Sequence, residues 1–364
     1  MGKRVLTWGW FGFHNLGDDL ILYTFIENIK TKCPDISLSV AMHEKYDIDK
    51  SIIQVERSYK TLFSADKYDA LVIGPGGIFP ENKTTKLLLF LTVLKYWKIS
   101  HKQILFFGVG ISDSMSKTQR RIWRKMVKLS DVFMPRSENA MEAIGVQRTS
   151  VRHSMPDSVF AMRIPEKESS SKRQRIGIAV ANLTGNDFES ADYHRQTAIW
   201  SDVIKGCIEL GKEVDLIAFT RENDDVLIDA LKKEHKQVRC IHYSEIDKAI
   251  GHWSEYEAVI AMRFHSVVLS IVSGTPFVPI AYGHKTVNLA NMVGMGDYLL
   301  KWSLRNGYFK DSNTIEASDI LDSFKCVIAD REAIVPKLQD AVTPLRRSAD
   351  DAYSELCAYL KNGR

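Results

Sequence analysis

A chain of 364 residues is long enough for two ordinary domains, each burying its own core. With 45% hydrophobic and 26% charged residues, it has the balance of a soluble globular protein and excludes a disordered one. The net charge of +4 is too mild to argue for nucleic acid, and no RNA-binding signature, zinc finger or aromatic-basic interleaving accompanies it.

Short β-rich runs alternate with longer amphipathic ones, which predicts βα units and parallel sheets. Residues 5–10 are the first strand, leading straight into a glycine-rich loop rather than a signal peptide, and a helix follows over 18–32. Further strands are expected at 70–74, 104–108 and 132–135, with helices at 84–98, 117–130 and 138–144. The longest apolar run, 87–94, is interrupted by Thr92 and is far below the ~20 residues that span a bilayer. The helix over 117–128 carries Lys117, Arg120, Arg121, Arg124, Lys125 and Lys128 with no acid. Together with the run 87–97 it reads either as a patch touching a membrane surface or as a core helix beside a solvated one.

The polar, serine-rich stretch 163–175 is the expected interdomain linker. The alternation then restarts: strand 176–180, helix 193–210, strand 214–219, helix 224–233, strands near 238–241 and at 258–262, helix 265–273 and strand 277–282. The tail over 317–360 reads as helical, broken into pieces by Pro336 and Pro344. Two Rossmann-like halves, a linker and a helical tail suggest an α/β GT-B-like architecture, two parallel sheets facing a central cleft. The expected division is residues 1–165, 166–316 and 317–364. The scattered Cys33, Cys207, Cys240, Cys326 and Cys357 have no metal-ligand spacing and read as reduced thiols of a cytoplasmic protein.

Four constellations carry chemistry. The loop from Gly9 to Asp19 lies between the first strand and helix, where ligands gather in open parallel sheets, and lacks the dinucleotide fingerprint. Gly74-Pro75-Gly76-Gly77 follows a buried strand, and paired glycines expose N–H groups to an anion or let a sugar approach. Arg136 falls at another strand end, and Pro156-Asp157 follows a further short strand. The fourth reads strand, Arg263-Phe264-His265, helix, Gly274-Thr275-Pro276, strand, Gly283-His284-Lys285. Neighbouring strands lie ~4.8 Å apart, so Arg263, His265 and Lys285 can converge on one ligand. Arg and Lys suit a phosphate or carboxylate, and His supplies a proton near neutral pH.

These segments, in order GFHNLGDD, GPGG, PRSENA, PD and AMRFHSVVLSIVSGTPFVPIAYGHK, resemble the polysaccharide pyruvyl transferase family over residues 5–294. The resemblance implies transfer of a pyruvyl group from phosphoenolpyruvate to a sugar of a cell-surface polysaccharide, or of its lipid-linked precursor, as a ketal with release of phosphate. It implies His265 as the catalytic acid and Arg136, Arg263 and Lys285 as donor-binding residues. Asn15 and Asp18 are implied nearer the acceptor, with Gly76 and Gly77. Phosphoenolpyruvate is then a substrate, with no cofactor and no metal ligands expected, and a lipid-linked acceptor would bring the protein peripherally to the inner face of the membrane. Two departures stand out: Ser137 replaces the family's frequent Asp, and Trp10, Phe11, Phe13 and His14 make the first loop unusual. The rival readings are a GT-B glycosyltransferase using a nucleotide sugar, which needs a base-and-ribose pocket, and a non-catalytic paralogue binding glycan or lipid carrier, which needs a broken cationic cluster.

Overall fold

The computed structural model describes residues 2–46, 48–78, 83–112, 115–163, 174–185, 187–242, 251, 253–303 and 315–362. The linker expected over 163–175 lies, apart from its ends, outside the described residues.

The chain forms two compact units: residues 1–13, 18–161 and 345–364, and residues 14–17 and 162–344. This departs from the division drawn on sequence in two places, because residues 14–17 belong to the second unit and the tail is shared between the two.

In the first unit the elements are β1 (Arg4–Trp8), α1 (Leu16–Lys32), β2 (Ser37–Met42), β3 (Ile53–Glu56), α2 (Tyr59–Leu62), β4 (Ala70–Ile73), β5 (Gly76–Gly77), α3 (Thr84–Ile99), β6 (Gln103–Gly110), α4 (Lys117–Leu129), β7 (Val132–Pro135) and α5 (Glu138–Ile144). The described strands form a parallel sheet in the order β3-β2-β1-β4-β6, with β5 and β7 both paired to β6. Strands β1 and β4 are apolar and buried along nearly their whole length, as parallel strands covered on both faces must be. Trp97 of α3 and Trp123 of α4 fill one side with Phe106 and Phe133, and Trp97 donates its indole N–H to the Leu62 carbonyl at 2.7 Å. Strands β2 and β3 are absent from the sequence reading; β3 is short and half exposed and carries little hydrophobic signal, whereas β2 is buried at five of its six residues.

The second unit runs β8 (Arg175–Ala179), α6 (Ala191–Glu209), β9 (Glu213–Ile217), α7 (Asp224–Glu234), β10 (Arg239–Ile241), β11 (Val259–Ala261), α8 (Phe264–Ser273), β12 (Phe277–Ala281), α9 (His284–Met292), β13 (Leu300–Lys301), α10 (Ala317–Ala329) and the start of α11 (Arg331–Asn362). Its parallel sheet has the order β10-β9-β8-β11-β12-β13, the doubly wound pattern whose direction reverses between β8 and β11. The first sheet reverses in the same way between β1 and β4.

Two expectations are corrected. Pro336 and Pro344 do not break the tail: both lie inside α11, and the break is at Asp330. Each proline removes one helical N–H bond, to the carbonyls of Glu332 and Asp340, two exposed residues. The buried stripe Ile334, Leu338, Val342, Ala349, Tyr353 and Leu356 outweighs the loss. Nor are all the cysteines reduced thiols. Residues from Leu345 onward pack on the first unit, where Cys357 meets the end of α1 and is disulfide-bonded to Cys33. A separation of 324 residues hid this pairing from any spacing argument.

Among the described residues no helix is long and apolar enough to cross a membrane.

Candidate active site

In the second unit, four neighbouring strands deliver their loops to one edge. The register pairs Ala261 with Ala179 and with Pro279, and Ala179 with Ile217. The residues that follow, Asn182, Thr220, Arg263 to His265 and Tyr282 to Lys285, therefore leave the same carboxyl end of the sheet, across its reversal point. The strand-end argument for Arg263, His265 and Lys285 rests on this pairing of β11 with β12.

Asp224 is the anchor of this edge. Its carboxylate is fully buried at the start of α7 and accepts from the backbone N–H of Asn182 at 3.1 Å, Phe219 at 3.1 Å and Thr220 at 3.0 Å. Arg263 closes on it with Nε at 2.9 Å and with Nη2, and Nη2 also donates to the Thr220 hydroxyl at 3.2 Å. Burial works against the Arg263 charge, but Asp224 outweighs it and holds the guanidinium above its ordinary value, with the Tyr282 hydroxyl beside it. Arg263 also caps α8, its carbonyl accepting from the Ser266 N–H at 2.9 Å and the Ser266 hydroxyl at 2.5 Å. Both ends of the residue are thus fixed, and His265 stands two residues later in the first turn of α8.

The loop from the first strand enters here. Leu16 N–H donates to the Phe219 carbonyl at 2.7 Å, Arg221 N–H to the His14 carbonyl at 3.2 Å, and Asn15 bridges Thr220. His14 takes a left-handed φ of 52° to make the turn. The Asn15 side chain accepts from the Gly17 N–H at 2.9 Å, starting α1. Gly17 lies against the His265 ring: a Cβ there would fall 2.1 Å from Nδ1. Of the two residues expected nearer the acceptor, Asn15 groups with the second unit and Asp18 with the first. Lys285 is exposed in the first turn of α9, one strand over from His265.

In the first unit, Arg136 is backed by Gly110, where a Cβ would fall 2.4 Å from Nη2. Its Nη1 donates to Asp157 at 2.6 Å, and Asp157 also accepts from the Val159 N–H at 3.1 Å. Pro156-Asp157 is thus the partner of Arg136. Ser137 caps α5 by accepting from the Ala140 N–H at 3.2 Å, which makes the exchange of Asp for Ser a swap between two good N-caps. Gly76, at φ 106°, faces the Asp18 carboxylate across an ordinary contact, and the space beside Gly77 is open.

Asp224, Asn182 and Thr220 were not singled out from sequence. The only signal for Asp224 was an acid opening a helix just after a strand, a common N-terminal feature.

Two doubly wound parallel sheets with sites at their reversal points define a GT-B-like α/β protein, and solved structures share that fold. A glycosyltransferase from Rickettsia africae aligns at TM-score 0.59 and 9% identity, covering 99% of both chains. A UDP-GlcNAc 2-epimerase from Neisseria meningitidis, solved with UDP-GlcNAc, aligns at 0.57 and 11%, covering 97% of this chain and 99% of that one. Os79 from O. sativa, solved with UDP, aligns at 0.62 and 10%, covering 99% and 100%. No curated protein matches the sequence. The polysaccharide pyruvyl transferase model matches residues 15–284, well over half the chain, and the chain belongs to that family.

Proposed function

We propose that the protein transfers a pyruvyl group from phosphoenolpyruvate to two hydroxyls of a sugar, forming a ketal and releasing phosphate. The observation that carries this reading is the lodging of His265 against Gly17, on a helix start that the Arg263–Asp224 pair immobilises. A fixed proton donor at a sheet edge that also carries Lys285 suits an enol ester bearing a phosphate and a carboxylate.

His265 gives its proton to the C3 methylene, and C2 becomes oxocarbenium-like. One sugar hydroxyl adds to C2 and its proton returns to His265. The second hydroxyl then displaces phosphate, which departs with that hydroxyl's proton. Lys285 stabilises the charge gathering on the leaving phosphate. Arg263 acts by holding the helix start. The donor role implied for Arg136 is open to direct test, since Arg136→Met should raise the KM for phosphoenolpyruvate. The scheme uses phosphoenolpyruvate as a substrate and calls on no metal or cofactor.

We place the acceptor among cell-surface polysaccharides or their lipid-linked precursors. The basic face of α4, with Lys117, Arg121, Arg124, Lys125 and Lys128 exposed, then has an anionic membrane surface to meet. The test is phosphate release from phosphoenolpyruvate with a panel of free and lipid-linked glycans, products weighed by mass spectrometry. A gain of the pyruvyl mass is expected, and its loss in a folded His265→Ala variant. Release of a nucleotide from a nucleotide sugar, with phosphoenolpyruvate untouched, would overturn the reading in favour of a glycosyltransferase.

A further inference from the structure

In the first unit, three adjacent parallel strands end on an aromatic cluster. Trp8 pairs with Ala41 and Met42 with Glu56, so the loop after β1, His43 after β2 and Arg57 after β3 emerge together. Trp10 stacks on Phe13 with ring centroids 4.1 Å apart and planes 12° apart, and Phe13 stacks on His43 at 4.4 Å and 6°. The stack is built on a fixed base. Phe11 is fully buried beneath Gly9, where a Cβ would strike its ring, and the carbonyls of Phe11 and Gly12 accept from the N–H groups of His43 at 2.9 Å and Glu44 at 3.2 Å. Trp10 and Phe13 remain half exposed and His43 exposed.

Arg57 lies along this stack, its Cζ 4.7 Å from the Trp8 ring centroid, 5.0 Å from that of Trp10 and 5.4 Å from that of Phe13. Its Nε donates to the Gly9 carbonyl at 2.9 Å. Among the described residues no carboxylate pairs with it, whereas Arg136 has Asp157 and Arg263 has Asp224. Burial pushes the guanidinium down to about 10. A desolvated guanidinium at the carboxyl ends of parallel strands asks for an anion from outside.

We propose that Trp10, Phe13, His43 and Arg57 form a subsite for an anionic glycosyl unit, the exposed side of the stack taking the apolar side of the sugar ring and Arg57 its carboxylate or phosphate. Calling that unit part of the acceptor rests on the pyruvyl-transfer reading; the binding site itself does not.

Direct binding to the full chain, followed by saturation-transfer NMR and tryptophan fluorescence, separates the two. Methyl glucuronide supplies a carboxylate, glucose 1-phosphate a phosphate, and methyl glucoside neither. At least one anionic sugar should bind about 10-fold more tightly than the neutral one, and which one binds tells the anion's source. Arg57→Gln should erase that preference, and Trp10→Ala should weaken all binding, with Trp10→Phe as the fallback if the alanine variant is unstable. Equal binding of charged and neutral sugars, or binding unchanged in both variants, overturns the proposal, as does a preference for a free nucleotide at this cluster. If phosphoenolpyruvate is consumed, Arg57→Gln should raise the KM for the anionic acceptor and leave that for phosphoenolpyruvate alone. Sugar binding that persists in a protein inert to phosphoenolpyruvate would sink the pyruvyl-transfer reading and leave the subsite standing.

Discussion

Gly17 sits in the first turn of α1 without a left-handed φ, so its backbone gives no reason to be glycine. Alanine would favour the helix by about 1 kcal/mol. What excludes alanine is the imidazole of His265, which occupies the place a methyl group would take. Gly17→Ala should therefore leave the protein folded but displace the ring, lowering kcat about 100-fold with a smaller change in KM, measured by phosphate release. A kcat within twofold of the parent would mean the ring does not act as the acid. The residue also marks how far sequence reading goes. Strand-end logic placed Arg263, His265 and Lys285 at one sheet edge, as the β11–β12 pairing has them, because the clue, an ionisable residue straight after an apolar run, is local. The match of Gly17 to His265 is not local, and neither is the quartet: Trp10 and Phe13 stood out in the first loop, but His43 and Arg57 join them from two other strands, one of them short and half exposed.

At the scale of elements, the start of α8 depends on α7. Asp224→Ala would leave the Arg263 guanidinium buried beside three unsatisfied N–H groups, at a cost of about 3–5 kcal/mol in urea denaturation. Asp224→Asn keeps the acceptor and should cost less. Substituting Arg263 by Leu should lower stability and kcat together, since the helix start it fixes carries His265, the acid we propose. A different pairing ties the entries of β1 and β4, where the Arg4 hydrogen bond holds the Asp69 carboxyl down to about 2. Because the folded value lies below the unfolded one, this stabilisation is present above about pH 4 and fades as pH falls toward about 2. The pair is exposed, so the effect is small. Unfolding midpoints of Asp69→Asn should accordingly fall less steeply with acid than those of the parent. The parallel character of both sheets was readable from alternating patterns, and most helix positions with it. The prolines of α11 misled because propensity penalises them wherever they stand, while the deciding fact was the buried apolar stripe that runs along the helix past both.

For the whole molecule, the Cys33–Cys357 bond joins residues near the two ends of the chain. Alkylation after unfolding without reductant should label Cys207, Cys240 and Cys326 alone, and reduction should release two further thiols. A Cys357→Ser variant should lose about 2–4 kcal/mol relative to the oxidised parent. Full labelling of all five cysteines without reductant would show that the pair stays reduced. The outline of two similar halves was legible in sequence from the restart of the βα alternation after residue 175. The exchange of short segments between the halves was not, because nothing in a local pattern says which core a loop or helix end will join.

That exchange has a bearing on how the protein is made. Tyr353, Leu356 and Leu360 are fully buried in the first unit, with Tyr353 4.8 Å from Phe107 between ring centroids. They leave the ribosome after every residue of the second unit has been translated. Conversely, residues 14–17 emerge first and must wait for Phe219 and Arg221 before their hydrogen bonds can form. Neither half can therefore finish folding as an independent N-terminal or C-terminal fragment during synthesis. The nascent chain carries an incomplete first core until its last helix arrives, the interval in which chaperone capture and premature aggregation compete.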